Sequence, residues 1–238
     1  MDDHTIDILF GGAIRMTQKK DGYRYSIDPV LLSHFAHPGF HDRVIDLGTG
    51  SGIIPAILSH RHPGLCITGI EIQPSLSALA RKNIKDNNLD KQVTIICGDM
   101  TESLEIPNDS ADLVLSNPPY TRYQAGRLNP NNEKAIARHE INIRLHELVF
   151  TASGMLKKGG RFALIFPQNR LVDLLVQLRN HGLEPRRLRM VHPMNGGPAK
   201  RVLVDAVKGG NPDLGVEPPL VIFQSRGIYS DEVKNMFL

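Results

Sequence analysis

The segment Arg43-Val44-Ile45-Asp46-Leu47-Gly48-Thr49-Gly50-Ser51-Gly52 decides how the rest of the chain is read. Its first half is β-branched and apolar, the composition of a buried strand, and it stops at alternating glycines. Glycine accepts left-handed torsions and lets a ligand approach the main chain. Ile53 to Ser59 continues with a helical pattern, so the turn should present the unpaired N–H groups of a helix start. Such a turn suits a phosphate or a carboxylate, and the glycines alone do not separate the two. A tight turn holding nothing would have the same sequence.

From there onward the same alternation continues, while the first 40 residues are less regular. Cys66 to Ile72, Gln92 to Gly98, Ala111 to Ser116, Arg161 to Phe166, Leu183 to Val191 and Arg201 to Lys208 have strand composition. Pro74 to Asn88, Asn142 to Leu156 and Leu171 to His181 have helical spacing, the second expected to close on Lys157-Lys158-Gly159-Gly160. Strands alternating with helices predict an α/β fold: a mainly parallel, seven-stranded sheet with helices on both faces. Ligands bind such sheets beyond the carboxyl ends of the strands, at the switch point in strand order. The division expected is an N-terminal extension over 1–40, one domain over 41–208, and a Gly/Pro-rich loop and fraying tail over 209–238.

Across 238 residues, 41% are hydrophobic and 22% charged, which excludes collagen-like, low-complexity and wholly disordered chains. The formal net charge of +3 permits a polyanionic partner without requiring one. No apolar run is long enough for a membrane span. The start, Met1-Asp2-Asp3-His4, is acidic where a secretory signal is basic and then apolar, so a cytoplasmic location is expected. Cys66 and Cys97 each lie in an apolar stretch and are expected to be buried thiols. No Cys/His spacing suits zinc, so no metal is expected.

Three further segments fall at strand ends. Glu71 lies 23 residues past Gly48, the spacing at which an acidic residue accepts from ribose hydroxyls; alone, an exposed strand-end Glu reads as well. Gly98-Asp99-Met100 ends the third strand, where Asp99 could accept from an adenine amine or cap a turn. Asn117-Pro118-Pro119-Tyr120 ends the fourth. Paired prolines remove two N–H donors and hold their carbonyls on a stiff backbone beside an amide and an aromatic ring. That arrangement accepts hydrogen bonds next to a stacking surface and suits a planar group bearing an NH₂; a structural Asn-Pro turn is the alternative.

Asp-Leu-Gly-Thr-Gly-Ser-Gly from Asp46, then Glu71, Gly98-Asp99 and Asn117-Pro118-Pro119-Tyr120, in this order, resemble the class I S-adenosylmethionine-dependent methyltransferases that modify amino nitrogens, which are Rossmann-like. The resemblance implies that Asp46, Gly48 and Gly50 surround the methionine part of S-adenosylmethionine, Glu71 the ribose and Asp99 the adenine ring. Asp28, Thr49, Ile72, Met100 and Asn117 complete the implied cofactor set, and Asn117, Pro118 and Tyr120 the implied catalytic one. The segments Tyr25-Ser26-Ile27-Asp28-Pro29-Val30-Leu31-Leu32 and Lys134-Ala135-Ile136-Ala137-Arg138-His139-Glu140 are similar to the tRNA adenine-N6 methyltransferase family. This similarity covers most of residues 6–208 and implies an anticodon-loop adenine of a valine tRNA as substrate.

An RNA partner needs cations on its backbone path. Residues 179–208 and 121–144 are the basic stretches, and Arg122, Arg127, Arg138, Arg187 and Lys200 are the expected phosphate contacts. Tyr123 and His139 read equally as core or base contacts. Glutamine-N5 methylation of a protein ranks second, since only about 40 residues precede the glycine turn where a substrate domain is expected. Ribosomal RNA is a third substrate class. A nicotinamide-dependent oxidoreductase would use the glycines and Glu71 but leave Asn117 to Tyr120 unexplained. A monomer or weak homodimer is expected.

Overall fold

The computed structural model describes residues 4–20, 24–102, 104, 106–118 and 145–238. Strands β1 (His4–Leu9) and β2 (Ile14–Lys19) form an antiparallel hairpin, followed by α1 (Asp28–Phe35). Then come β3 (Arg43–Leu47), α2 (Ile53–Arg61), β4 (Cys66–Glu71), α3 (Pro74–Asp86), β5 (Val93–Cys97) and β6 (Ala111–Ser116). Helix α4 covers 145–155 in its described part. It leads into β7 (Leu156–Pro167), α5 (Leu171–Asn180), β8 (Leu183–Met194) and β9 (Arg201–Lys208). The chain ends in β10 (Gly215–Val216), β11 (Leu220–Ser225), β12 (Ile228–Tyr229) and α6 (Asp231–Asn235).

The main sheet runs β5-β4-β3-β6-β7-β9-β8-β11-β12, with β10 beside β8. Strands β5, β4, β3, β6 and β7 are mutually parallel, and β9 runs antiparallel to both β7 and β8. The order reverses between β3 and β6, the switch point that the alternation anticipates. Period-two burial divides the core: Leu113, Leu115, Ala163 and Ile165 join the cluster under α1 and α2, while Val114, Phe162 and Leu164 join that under α4 and α5.

Three expectations are corrected. Residues 209–238 are not a loop and tail: β11 pairs in parallel with the outer edge of β8 (Leu220 with Val191), making the sheet ten-stranded. Leu220, Ile222, Val233 and Met236 are buried there, so an edge that would otherwise stand open is covered. Lys157-Lys158-Gly159-Gly160 lies inside β7 rather than closing α4, with Gly159 at φ 80° and a register shift opposite residues 111–113; the extra residues form a bulge. Cys66 and Cys97 are both exposed and free, because strand alternation turns them outward from otherwise apolar runs.

The N-terminal hairpin docks through side-chain amides. Asn83 on α3 and Asn87 at its C-terminal cap, four residues apart, bond the main chain of Thr17 and Arg15: Thr17 N donates to Asn83 Oδ1 at 2.9 Å, Arg15 N to Asn87 Oδ1 at 2.8 Å. Each amide also donates back to the carbonyl of the same residue, at 3.1 and 2.9 Å. The two amides complete the outer edge of β2 as a strand would. No helix among the described residues is long and apolar enough to cross a membrane.

Candidate active site

Register brings the marked residues to one place. Leu47 pairs with Ile70 on one side and Ser116 on the other, and Glu71 pairs with Cys97. Gly48, Glu71, Gly98 and Asn117 therefore leave four adjacent strands at nearly one level. Ser116 Oγ donates to Leu47 O at 2.9 Å, fastening β6 to β3 just below. Gly48 N and Thr49 N both donate to Ile70 O, at 3.0 and 2.9 Å. The turn needs φ of 77° at Gly48 and 58° at Gly50, torsions that a side chain strains. No side chain caps α2, so its first N–H groups face the turn.

The carboxylates differ in their surroundings. Glu71 is almost buried; Oε2 accepts from Gly50 N and Oε1 from Gln73 N, both at 2.9 Å. Asp46 is fully buried, and neither oxygen has a hydrogen-bond partner. Burial, foremost, pushes its pKa up to about 7; the nearby Thr49 hydroxyl opposes the rise and the Glu71 charge adds to it. Thr49 Oγ1 and Ser51 Oγ are likewise buried without partners. Orphaned polar atoms under an open turn mark a place where a polar ligand could be satisfied.

Asp99 caps its own turn, Oδ1 accepting from Thr101 N at 2.9 Å and Thr101 Oγ1 at 2.7 Å. Beside it Ile72 is 59% exposed and Met100 half-buried against the core, an apolar lining suited to the faces of a purine. Asn117 and Pro118 follow β6 directly and are half-buried. Asp28 is placed apart from the glycine turn's hydrogen bonds: at the head of α1 its carboxylate pairs with Arg201 Nε at 3.1 Å. Tyr120, Arg122, Arg127 and Arg138, with Tyr123 and His139, lie outside the described residues.

The two remaining cations part company. Lys200 is exposed on the turn between β8 and β9, with no side-chain ion pair among the described residues. Arg187 is held inside the fold: Nε bonds Glu217 at 2.7 Å, NH1 reaches the Phe35 carbonyl at 3.2 Å, and the guanidinium sits 4.4 Å over the Phe35 ring. Asp205 lies 3.5 Å away, and burial raises its pKa against the lowering charges of Arg161 and Arg187.

Sequence reading missed Gly69, where a Cβ would lie 2.9 Å from Thr49 Oγ1, so the glycine turn can rest on β4 only because that residue has no side chain. A glycine inside an apolar strand is the signal that marks such a close approach. It also missed Asn83, whose Nδ2 donates to Ser51 O at 2.9 Å and supports the turn from behind. Among the described residues no group of His, Cys, Asp or Glu is arranged to hold a metal.

Residues 27–177 match the methyltransferase small domain family. Over 221 residues the chain is 33% identical to a Porphyromonas gingivalis protein named tRNA1(Val) (adenine(37)-N6)-methyltransferase, covering 88% of this chain and 85% of that one. In fold it is similar to a protein from Agrobacterium tumefaciens described as a predicted O-methyltransferase, with TM-score 0.72, 20% identity, and 88% and 94% of the two chains covered. It is also similar to geranyl diphosphate C-methyltransferase from Streptomyces coelicolor, solved with Mg2+, geranyl diphosphate and S-adenosyl-L-homocysteine. There the TM-score is 0.56 at 15% identity, covering 76% of this chain and 78% of the other.

Proposed function

The chain belongs to the tRNA1(Val) (adenine(37)-N6)-methyltransferase family within the methyltransferase small domain proteins, and from this we infer that it methylates the N6 amino nitrogen of an anticodon-loop adenine in a valine tRNA. The methyl donor is S-adenosylmethionine. Bound, it supplies a methyl group already activated by the sulfonium charge, so the protein has to position and stabilise rather than attack.

The residues at the rim suit those tasks. Asp46, unpartnered and buried, supplies an anion for the ammonium of the methionine part, and the turn at Gly48 and Gly50 leaves room for its approach. Glu71 retains lone pairs for ribose hydroxyls while its two oxygens hold the Gly50 and Gln73 amides. Ile72 and Met100 cover the faces of the adenine, with Asp99 as acceptor at its edge.

Asn117 Oδ1 and the Pro118 carbonyl are the acceptors proposed for the two hydrogens of the target amine. An adenine amine is a weak nucleophile because its lone pair is delocalised into the ring. Accepting both hydrogens favours a pyramidal nitrogen and stabilises the positive charge that grows on it during transfer. The proton becomes acidic once the nitrogen is alkylated, so no strong base has to stand beside it. Tyr120 is the proposed stacking partner of the base. An unpaired anticodon-loop adenine is reached at less cost than one inside a duplex.

One observation carries this reading: the Leu47–Ser116 register, which sets Asn117 beside the glycine turn at the switch point. Incubating the protein with a valine tRNA transcript and isotopically labelled donor, then digesting to nucleosides for mass spectrometry, tests it. N6-methyladenosine is expected. Label on glutamine of a protein substrate instead, with none on RNA, would replace this reading by the amide one.

A further inference from the structure

A groove of about 500 Å3 opens between β1, the Tyr25–Val30 segment and the C-terminal aromatics, lined by Ile8, Tyr25, Ser26, Ile27, Tyr229 and Phe237. Resting on the RNA reading above, we propose that this groove receives a base of the same RNA strand, a few nucleotides from the target adenine.

Position supports this first. Phe223 pairs with Met194, the last residue of β8, so the groove's aromatic wall stands at the end of the sheet's ligand-binding rim. Asn117 leaves β6 four strands away in the order β6-β7-β9-β8-β11, which at strand spacing is roughly 19 Å. That span suits a single strand laid along the rim rather than a second face of the same nucleotide.

The groove's shape also suits a base. Phe223 and Tyr229 stack with centroids 5.1 Å apart and planes 11° from parallel; Tyr229 and Phe237 follow at 5.6 Å and 19°. Three near-parallel rings form a ladder ending at Phe237, half-buried beside the groove, and a nucleobase continues such a ladder with its own π-face. Ile8 is 64% exposed at the other wall, an unusual outlay of apolar surface on a short strand. Asp7 also lines the groove, but its carboxylate is held by Gln18 Nε2 and by Arg24, which leaves the aromatic and apolar surfaces as the part of the groove that meets a base.

Charge along the rim suits a phosphate backbone as well. Lys200, on the turn between β8 and β9, lies between Asn117 and the groove in strand order, and Arg226 lies in the turn between β11 and β12. Both are exposed, and neither has an ion pair among the described residues. Base acceptors, a cation, an aromatic ladder and a second cation thus follow one another along the rim, the alternation of stacking surface and positive charge that single-stranded RNA requires.

Ile8→Glu, a change at an exposed side chain, and Phe237→Ser test the groove with a full-length tRNA transcript. Each is expected to raise KM for tRNA about tenfold, the effect of removing one stacked base, leaving kcat and S-adenosylhomocysteine affinity unchanged. Unaltered KM in both variants, with wild-type thermal unfolding, overturns the proposal. If Ile8→Glu instead converts a dimer to a monomer in sedimentation and leaves KM alone, the groove joins two copies and the proposal likewise falls. Photo-crosslinking of tRNA carrying 4-thiouridine decides the matter even if Phe237→Ser unfolds. Adducts on Tyr229 or Phe237 support the groove; adducts confined to other parts of the chain exclude it. Failure of the wild-type protein to form N6-methyladenosine counts against the reaction assigned above, while the crosslinks still report on the groove.

Discussion

Glu71 Oε2 accepts the main-chain N–H of Gly50 at 2.9 Å, so a single carboxylate at the end of β4 holds the crest of the glycine turn leaving β3. Its other oxygen holds Gln73 N at the start of α3. Glu71→Gln keeps the shape but turns an amide N–H toward one of those donors, leaving it unsatisfied at a nearly buried site. Hydrogen bonds to charged groups are worth about 1.5–3 kcal/mol, so S-adenosylhomocysteine should bind at least about tenfold more weakly by isothermal titration. Unchanged affinity in this variant would show that the ribose does not bind at Glu71.

Asp46 gives opposite pH trends for folding and for ligand binding. Its carboxyl has a pKa of about 7 in the fold, against an ordinary value of 3.8, because burial penalises the charge. Between those values the native protein holds a proton that the unfolded chain has released, so stability declines as pH rises through the interval and is level above it. A ligand ammonium at Asp46 requires the ionised form, and binding should then release about three-quarters of a proton near pH 6.5 and less as the pH rises past 7. Titration calorimetry in buffers of different ionisation enthalpy measures that release. Asp46→Asn is expected to abolish it and to flatten the stability slope; proton release of wild-type size in the variant would assign it elsewhere.

Substituting Asn117 should separate chemistry from donor binding. Asn117→Ala removes the side-chain acceptor proposed for the target amine but not the Pro118 carbonyl. Loss of one preorganised partner of developing charge costs about 10²–10³ in kcat. Single-turnover methylation should show that fall with S-adenosylhomocysteine affinity nearly intact. Equal damage to both would place Asn117 in the donor site alone.

Lys200 and Arg187, paired as phosphate contacts on sequence grounds, should now behave differently. Lys200→Ala removes an exposed cation and is expected to flatten the log–log salt dependence of tRNA binding by about 0.7–0.9 for each phosphate it neutralises. Arg187→Ala leaves Asp205 and Glu217 with less counter-charge and uncovers the Phe35 ring. Its expected effect is a lower unfolding temperature with the salt slope unaltered. A slope change in the Arg187 variant of the size seen for Lys200 would restore it to the RNA path.

The reaction rim was legible because its signals are local. Strand runs ending at Gly48, Glu71 and Asn117 place those residues at strand ends, and a parallel sheet aligns strand ends without further information. Outside the rim, legibility failed where pairing is non-local. Leu220-Val221-Ile222-Phe223-Gln224-Ser225 is short and preceded by Pro218-Pro219, and only the open edge of β8 makes it a strand. Arg187 stands in a basic stretch along the chain, yet its carboxylate partners come from β9 and from Glu217, far away in sequence. Cys66 and Cys97 sit among apolar neighbours, and alternation along the strand outweighed that composition.

Asn83 is where the N-terminal hairpin and the glycine turn meet, and its substitution tests whether the hairpin supports the site. The residue is fully buried on α3; Oδ1 accepts Thr17 N, and Nδ2 donates to both Thr17 O and Ser51 O. Asn83→Leu fills similar space but leaves those three main-chain groups without their partner, a cost of about 1–3 kcal/mol for each buried polar group stranded. Asn83→Asp keeps the acceptor for Thr17 N and loses both donations, so it should be destabilised as well, and more so at neutral pH, where its carboxylate faces two carbonyls. Both variants should unfold at lower temperature and bind S-adenosylhomocysteine more weakly, since Ser51 belongs to the turn itself. At one ligand concentration, coupling of hairpin and turn therefore predicts a smaller ligand-induced rise in unfolding temperature for both variants than for the wild type. If Asn83→Leu lowers stability while ligand affinity stays at the wild-type value, the hairpin is a brace for α3 alone and contributes nothing to the turn.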